Sequence, residues 1–171
     1  MLDNFWLRLD SGARQSLPFF TALLCTLFSV IAWPLPHFGP VAPPLGLIAL
    51  YYWAIHRPDL FRPGMVFLLG LLNDIVNFLP LGLSALLFVG AYQLVLEQRR
   101  FFSGHSFFMM WFGFILMLFL VMLAQWLGLS LIQWHLMPFT PVLMQMILAI
   151  IIFPLPCWLL ISLQRIALSQ N

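Results

Sequence analysis

Charge is nearly missing from this chain. Of 171 residues, seven are basic and five are acidic, 7% in all. Soluble domains carry about a quarter charged residues, and disordered chains combine low hydrophobicity with high charge. A hydrophobic content of 63% and a mean hydropathy of +1.03 exclude both classes and point to an integral membrane protein. Lysine is absent altogether, and the seven arginines (8, 14, 57, 62, 99, 100 and 165) all lie outside the apolar runs. They form no basic cluster, which excludes nucleic acid as a partner. Cys25 and Cys157 sit in separate apolar runs, where thiols act as small hydrophobes and no disulfide framework is implied. The four histidines, at 37, 56, 105 and 135, are not at ligand spacing with one another. No metal or cofactor is therefore expected. There is no nucleophile elbow, no glycine-rich phosphate loop and no Ser or Cys with a His nearby in sequence, so nothing points to an enzyme.

What the chain has instead is long apolar runs. They predict an all-α integral membrane six-helix bundle, a single transmembrane domain over 1–171. The spans fall at about 17–35, 41–55, 64–80, 81–96, 106–130 and 141–163, after a segment 1–16 in which Leu2, Phe5, Trp6 and Leu9 recur at helical spacing. That stripe suits either an interfacial helix or a plain lead-in to the first span. The second run is short for a crossing of ~20 residues and suits a re-entrant segment equally well by length. The arginines decide in favour of crossing. With six spans, Arg8, Arg14, Arg57, Arg62, Arg99, Arg100 and Arg165 all fall on one side, which the positive-inside rule makes cytoplasmic, together with both termini. Pro154 and Pro156 interrupt the last run and predict a kink. Trp6, Trp33, Trp53 and Trp134 fall near span ends, as an aromatic belt requires.

One ionisable side chain lies deep in these runs. Asp74, with Gly70, Asn73 and Asn77, occupies the i, i+3, i+4 and i+7 positions of one helical face. An aspartate at mid-span costs on the order of 2.5–3.5 kcal/mol, against a gain of ~0.3–0.6 for each Leu, Ile, Phe or Val. This face therefore points into the bundle or a polar cavity. A proton relay, an ion site and a ligand contact are functional readings. The structural reading is a hydrogen-bonded knot that fixes the turn at Pro80 and Gly82 into the next span, and the scatter of polar residues elsewhere favours it. Gly70 and Gly82 further suggest close helix approach.

Pro43, Leu50, Tyr52, Trp53, Pro58, Gly64, Gly70, Asp74 and the Pro80-Leu81-Gly82 turn together resemble the rod shape-determining protein MreD family of bacterial inner-membrane proteins. The family reads Gly, three residues, Asp, three residues, a small residue, two residues and Leu-Gly; Phe78 stands at the small-residue position. The resemblance implies a non-enzymatic subunit of the cell-wall elongation machinery, bound to MreC and associated with MreB, RodA, RodZ and a penicillin-binding transpeptidase. It implies a fold similar to the substrate-binding subunits of energy-coupling-factor transporters, and hence an alternative function as a small-molecule-binding or transport protein with a cavity bordered by Asp74, Asn73 and Asn77. The structural, partner or cavity candidates are thus Asp74, Asn73, Asn77, Gly70, Pro80, Gly82, Pro43 and Tyr52. Membrane lipids are the remaining partner.

Overall fold

The computed structural model describes residues 17–29, 33–35, 39–102 and 107–168. The N-terminal stripe of Leu2, Phe5, Trp6 and Leu9 lies outside the described residues. Helix α1 (Leu17–Phe28) is followed by a small antiparallel ribbon, β1 (Trp33–Leu35) and β2 (Gly39–Val41). Six more helices follow: α2 (Leu45–His56), α3 (Pro63–Val76), α4 (Leu83–Phe102), α5 (Phe107–Ile132), α6 (Thr140–Ile152) and α7 (Pro154–Leu168).

The first predicted span, 17–35, is not one helix. The helix ends at Phe28, and the chain reappears as a ribbon pairing Trp33 with Val41 and Leu35 with Gly39. The cause is local: Trp33 and Leu35 each precede a proline, and that position is pushed from α to extended geometry. Ser29 finishes α1 by donating its hydroxyl to the Cys25 carbonyl at 3.0 Å and accepting the Leu45 amide at 2.9 Å, so the end of α1 is tied to the start of α2.

Helix α2 is the centre of the fold. Every residue from Gly46 to Ala54 is buried, the signature of a helix apolar all round. At 12 residues it is about 18 Å long, well short of the ~30 Å hydrocarbon core. Surrounding helices shelter it: it packs chiefly on α4 and α7, and also meets α3 and α5. Side chains lock it there. The Tyr51 hydroxyl donates to the Met110 carbonyl of α5 at 2.8 Å, and the Trp53 indole donates to Thr21 Oγ1 of α1 at 3.0 Å. Trp53 is completely buried, so it belongs to the core and not to an aromatic belt.

Helices α3 and α4 form a tight antiparallel hairpin. Their opposite end is closed by the α2–α3 loop, where Tyr92 of α4 donates to the Phe61 carbonyl. Arg57 and Arg62 of that loop and Arg99 near the end of α4 therefore share one end of the bundle. The α4 helix runs past the expected boundary at 96 because Glu97, Gln98 and Arg99 are good helix formers.

Among the described residues, α5 is the one unbroken helix long and apolar enough to cross a membrane, over Phe108–Ile132. Helices α6 and α7 make a second such unit if taken together, bent by 46° at Phe153. The bend has a mechanism. Pro154 has no N–H, so the Ile150 carbonyl loses its helical donor; the Trp111 indole of α5 donates to that oxygen instead, at 3.3 Å. Phe153 is buried at the bend, stacked on Phe114 at 4.2 Å and edge-on to Tyr51.

Large apolar side chains are exposed on every helix except α2, among them Phe20, Phe67, Leu86, Phe112, Ile151 and Trp158. Soluble monomers rarely show extended apolar patches. An apolar exterior on all the outer helices fits a hydrocarbon surround, compatible with a membrane protein.

Candidate functional site

The turn between α3 and α4 is built around Asp74. Its side chain is completely buried. Oδ2 accepts the Gly82 amide at 2.8 Å, and Oδ1 accepts the Ser84 amide at 2.9 Å. Gly82 immediately precedes α4 and Ser84 lies in its first turn, where amides have no partner within the helix and the helix dipole is positive. Asp74 thus caps α4 from the neighbouring helix. Hydrogen bonds to a charged acceptor contribute about 1.5–3 kcal/mol each, enough for the pair to offset the cost of placing a carboxylate among apolar spans.

The neighbouring amides extend the network. Asn77 Nδ2 donates to the Asn73 carbonyl at 2.9 Å and to Asn73 Oδ1 at 3.1 Å. Asn73 Nδ2 in turn donates to Ser84 Oγ at 3.1 Å. The Asp74 carbonyl accepts the Leu79 amide at 2.8 Å and the Pro80 carbonyl accepts that of Leu83 at 3.2 Å, closing the turn. Two residues in it have left-handed backbone: Gly82 at φ 99° and Phe78 at φ 53°. Phe78 is 96% exposed, so its ring gains no packing in return for a conformation that costs a non-glycine residue roughly 1–2 kcal/mol.

The two glycines act differently. A Cβ on Gly70 would lie 2.7 Å from the Ala85 amide nitrogen and 2.8 Å from the Ser84 carbonyl oxygen; both are backbone atoms that cannot yield. At Gly70 the backbones of α3 and α4 come close enough to leave no room for a side chain. Nothing lies within 4 Å of a Cβ on Gly82, so this glycine serves the positive φ and not close helix approach.

The remaining candidates separate. Pro43 lies in the segment entering α2, its carbonyl accepting the Leu45 amide at 2.8 Å. Tyr52 is in the α2 core, stacked on His56 at 4.2 Å near the C-terminus of that helix, away from the Pro43 end.

Beside the Asp74 turn is a cavity of about 460 Å³ between α3, α5 and α6. Asn73, Asn77 and Pro43 line it; Asp74 does not. A cavity bordered by Asp74 is therefore corrected: the carboxylate faces the α4 amides and leaves only neutral side chains at the cavity wall. Gln125 of α5 and Gln145 of α6 also line it. Sequence reasoning passed over both as isolated polar residues. A lone glutamine within an apolar helix was the available signal, but their convergence depends on how α5 and α6 pack. Gln145 Nε2 donates to the Ala42 carbonyl at 3.0 Å. The loop after α5 is held over the same region by Trp126, whose indole donates to the Met137 carbonyl at 3.0 Å.

Compared with known proteins, the chain matches the model of one family, described as rod shape-determining protein MreD, over residues 13–164. No curated protein and no solved structure matches it.

Proposed function

The chain belongs to the MreD family, whose role lies in determining rod cell shape, and from this we propose that it acts as a non-enzymatic inner-membrane subunit of the cell-wall elongation complex. In this role it binds MreC within the bilayer and helps couple MreB, on the cytoplasmic side, to peptidoglycan synthesis by RodA and a penicillin-binding transpeptidase, with RodZ as a further associate. The family match along nearly the whole chain carries the reading. Two physical features support it. The polar chemistry at the Asp74 turn is spent on internal hydrogen bonds, and the outer helices present apolar surface suited to lipid and to other transmembrane segments. Without a hydrophobic drive between helices in lipid, such partners are held by packing and a few hydrogen bonds.

The proposed topology has six crossings and both termini in the cytoplasm, similar to energy-coupling-factor substrate-binding subunits, with α6 and α7 forming one bent crossing. The grouping of Arg57, Arg62 and Arg99 at one end supports this orientation. It places the Asp74 turn and its cavity on the outer side.

Crosslinking in native membranes, followed by mass identification of partners, tests the proposal. An MreC crosslink, together with rounding of rod-shaped cells on depletion, is the expected result. Retained rod shape after depletion overturns it.

A further inference from the structure

We propose that the cavity between α3, α5 and α6 is a binding site for an uncharged amphiphile: a hydroxyl- or carboxamide-bearing head on an apolar body. The volume of about 460 Å³ lies within the ~300–1,000 Å³ range of small-molecule sites. Its chemistry follows from three properties of the wall.

First, no lining residue is ionisable. A charged ligand would give up hydration for a surface with no counter-charge, an expensive transfer. Asp74, the nearest acid in sequence to the lining asparagines, has both oxygens committed to α4.

Second, the amides are neither idle nor saturated. Among the described residues the Gln125 carboxamide has no hydrogen-bond partner, which leaves it both donors and an acceptor. Gln145 commits Nε2 to Ala42 and Asn77 commits Nδ2 to Asn73, so each keeps a carbonyl oxygen. A head that both donates and accepts satisfies this set; a purely accepting one leaves the Gln145 and Asn77 oxygens unmet.

Third, the rest of the wall is mostly apolar and stiff, with the Ser29 hydroxyl already engaged by the Cys25 carbonyl and the Leu45 amide. Phe88, Met122 and Leu129 supply surface for the ligand body, and prolines stand at the entries to α2 (Pro43, Pro44) and α6 (Pro138, Pro141). Fixed proline φ angles pre-form the wall, which lowers the ordering cost of binding.

Such a head reaches the site either as a water-soluble compound or as a membrane amphiphile. The test uses the full chain in nanodiscs of phosphatidylethanolamine and phosphatidylglycerol, with labelled octyl-β-D-glucoside as probe. Octanoate and octylammonium carry the same tail with either charge, and methyl-β-D-glucoside carries the head alone. Saturable binding of the glucoside is expected, with both charged probes weaker by about tenfold or more. Competition by methyl glucoside assigns the aqueous route, and failure to compete assigns the membrane route. Gln125→Leu removes no internal hydrogen bond and is expected to weaken the glucoside about tenfold, the effect of one lost hydrogen bond. Gln125→Glu is expected to raise affinity for octylammonium. The proposal is overturned by equal binding of the charged probes, by no saturable binding of octyl glucoside, or by unchanged affinity in both Gln125→Leu and Asn77→Leu.

Discussion

Replacing Asp74 by leucine removes both acceptors that cap α4 while improving the apolar character of α3. The two effects act on different steps. Insertion becomes easier, because the aspartate cost of about 2.5–3.5 kcal/mol gives way to a leucine gain of ~0.3–0.6. Folding within the membrane becomes harder, because the Gly82 and Ser84 amides, now 2.8 and 2.9 Å from carboxylate oxygens, lose their partners. At about 1–3 kcal/mol for each unsatisfied buried donor, the loss is about 2–6 kcal/mol. Asparagine is nearly isosteric and keeps one acceptor, so Asp74→Asn should lose only one bond, about 1–3 kcal/mol. The assay is thermal unfolding of both variants in lipid nanodiscs, with hydrogen exchange read at Gly82 and Ser84. Leucine should lower the midpoint well below asparagine and expose both amides; asparagine should expose one. If asparagine and leucine are equally damaging while the two amides stay protected, the carboxylate acts through its charge and the capping argument fails.

Phe78→Gly should raise stability by up to about 1 kcal/mol, since relief of a left-handed residue (~1–2 kcal/mol) exceeds the entropy cost of glycine (~0.5–1); a lower unfolding midpoint refutes it. Gly70→Ala should be destabilising by about 1–3 kcal/mol, because the new methyl meets the backbone of Ser84 and Ala85 and the hairpin must part to admit it. An unchanged midpoint would show that α3 and α4 separate freely. Trp111→Phe should orphan the Ile150 carbonyl beside Pro154 at a cost of about 1–3 kcal/mol, with faster hydrogen exchange around the α6–α7 bend; exchange unchanged there would assign the bend to packing alone.

The parts of the fold legible in the sequence were those set by local chemistry. A 26-residue apolar helix such as α5 reads directly from hydropathy, and the bend before Pro154 follows from a missing donor. The end of α1 was misread because hydropathy weighs Trp33 and Leu35 as apolar whether they are helical or extended; the prolines after them held the answer. Trp53 was misplaced for a related reason. Its distance from a span end says nothing about which helices surround it, and α2 turns out to be sheltered on all sides. The Asp74 face was legible as a face, since a 3.6-residue period places Gly70, Asn73, Asp74 and Asn77 together. That the carboxylate is knotted into the turn before the next span was legible too. That it meets the Gly82 and Ser84 amides in particular was not, because this depends on the register between α3 and α4, fixed by how deeply Gly70 lets the two backbones approach.

That same register separates charge from cavity. With Gly70 against Ala85, the Asp74 oxygens reach the Gly82 and Ser84 amides, and Asn73 and Asn77, one residue before and three after, are turned toward α5 and α6. The hairpin therefore forms a stiff, neutral wall, held by a capped helix start, a close backbone contact and an asparagine ladder. The facing wall is built otherwise: Gln145 is tied to the Ala42 carbonyl just after the ribbon, and Trp126 to the loop that enters α6. Each of those ties is a single neutral hydrogen bond, worth about 0.5–1.5 kcal/mol net, against the paired charge-assisted bonds of the hairpin. The α6 side therefore owes its shape less to polar bonds than to packing and to the fixed φ of Pro138 and Pro141 at its entry. The α6 wall is braced further from behind, because α6 is followed across the bend by α7, which packs on the central helix α2.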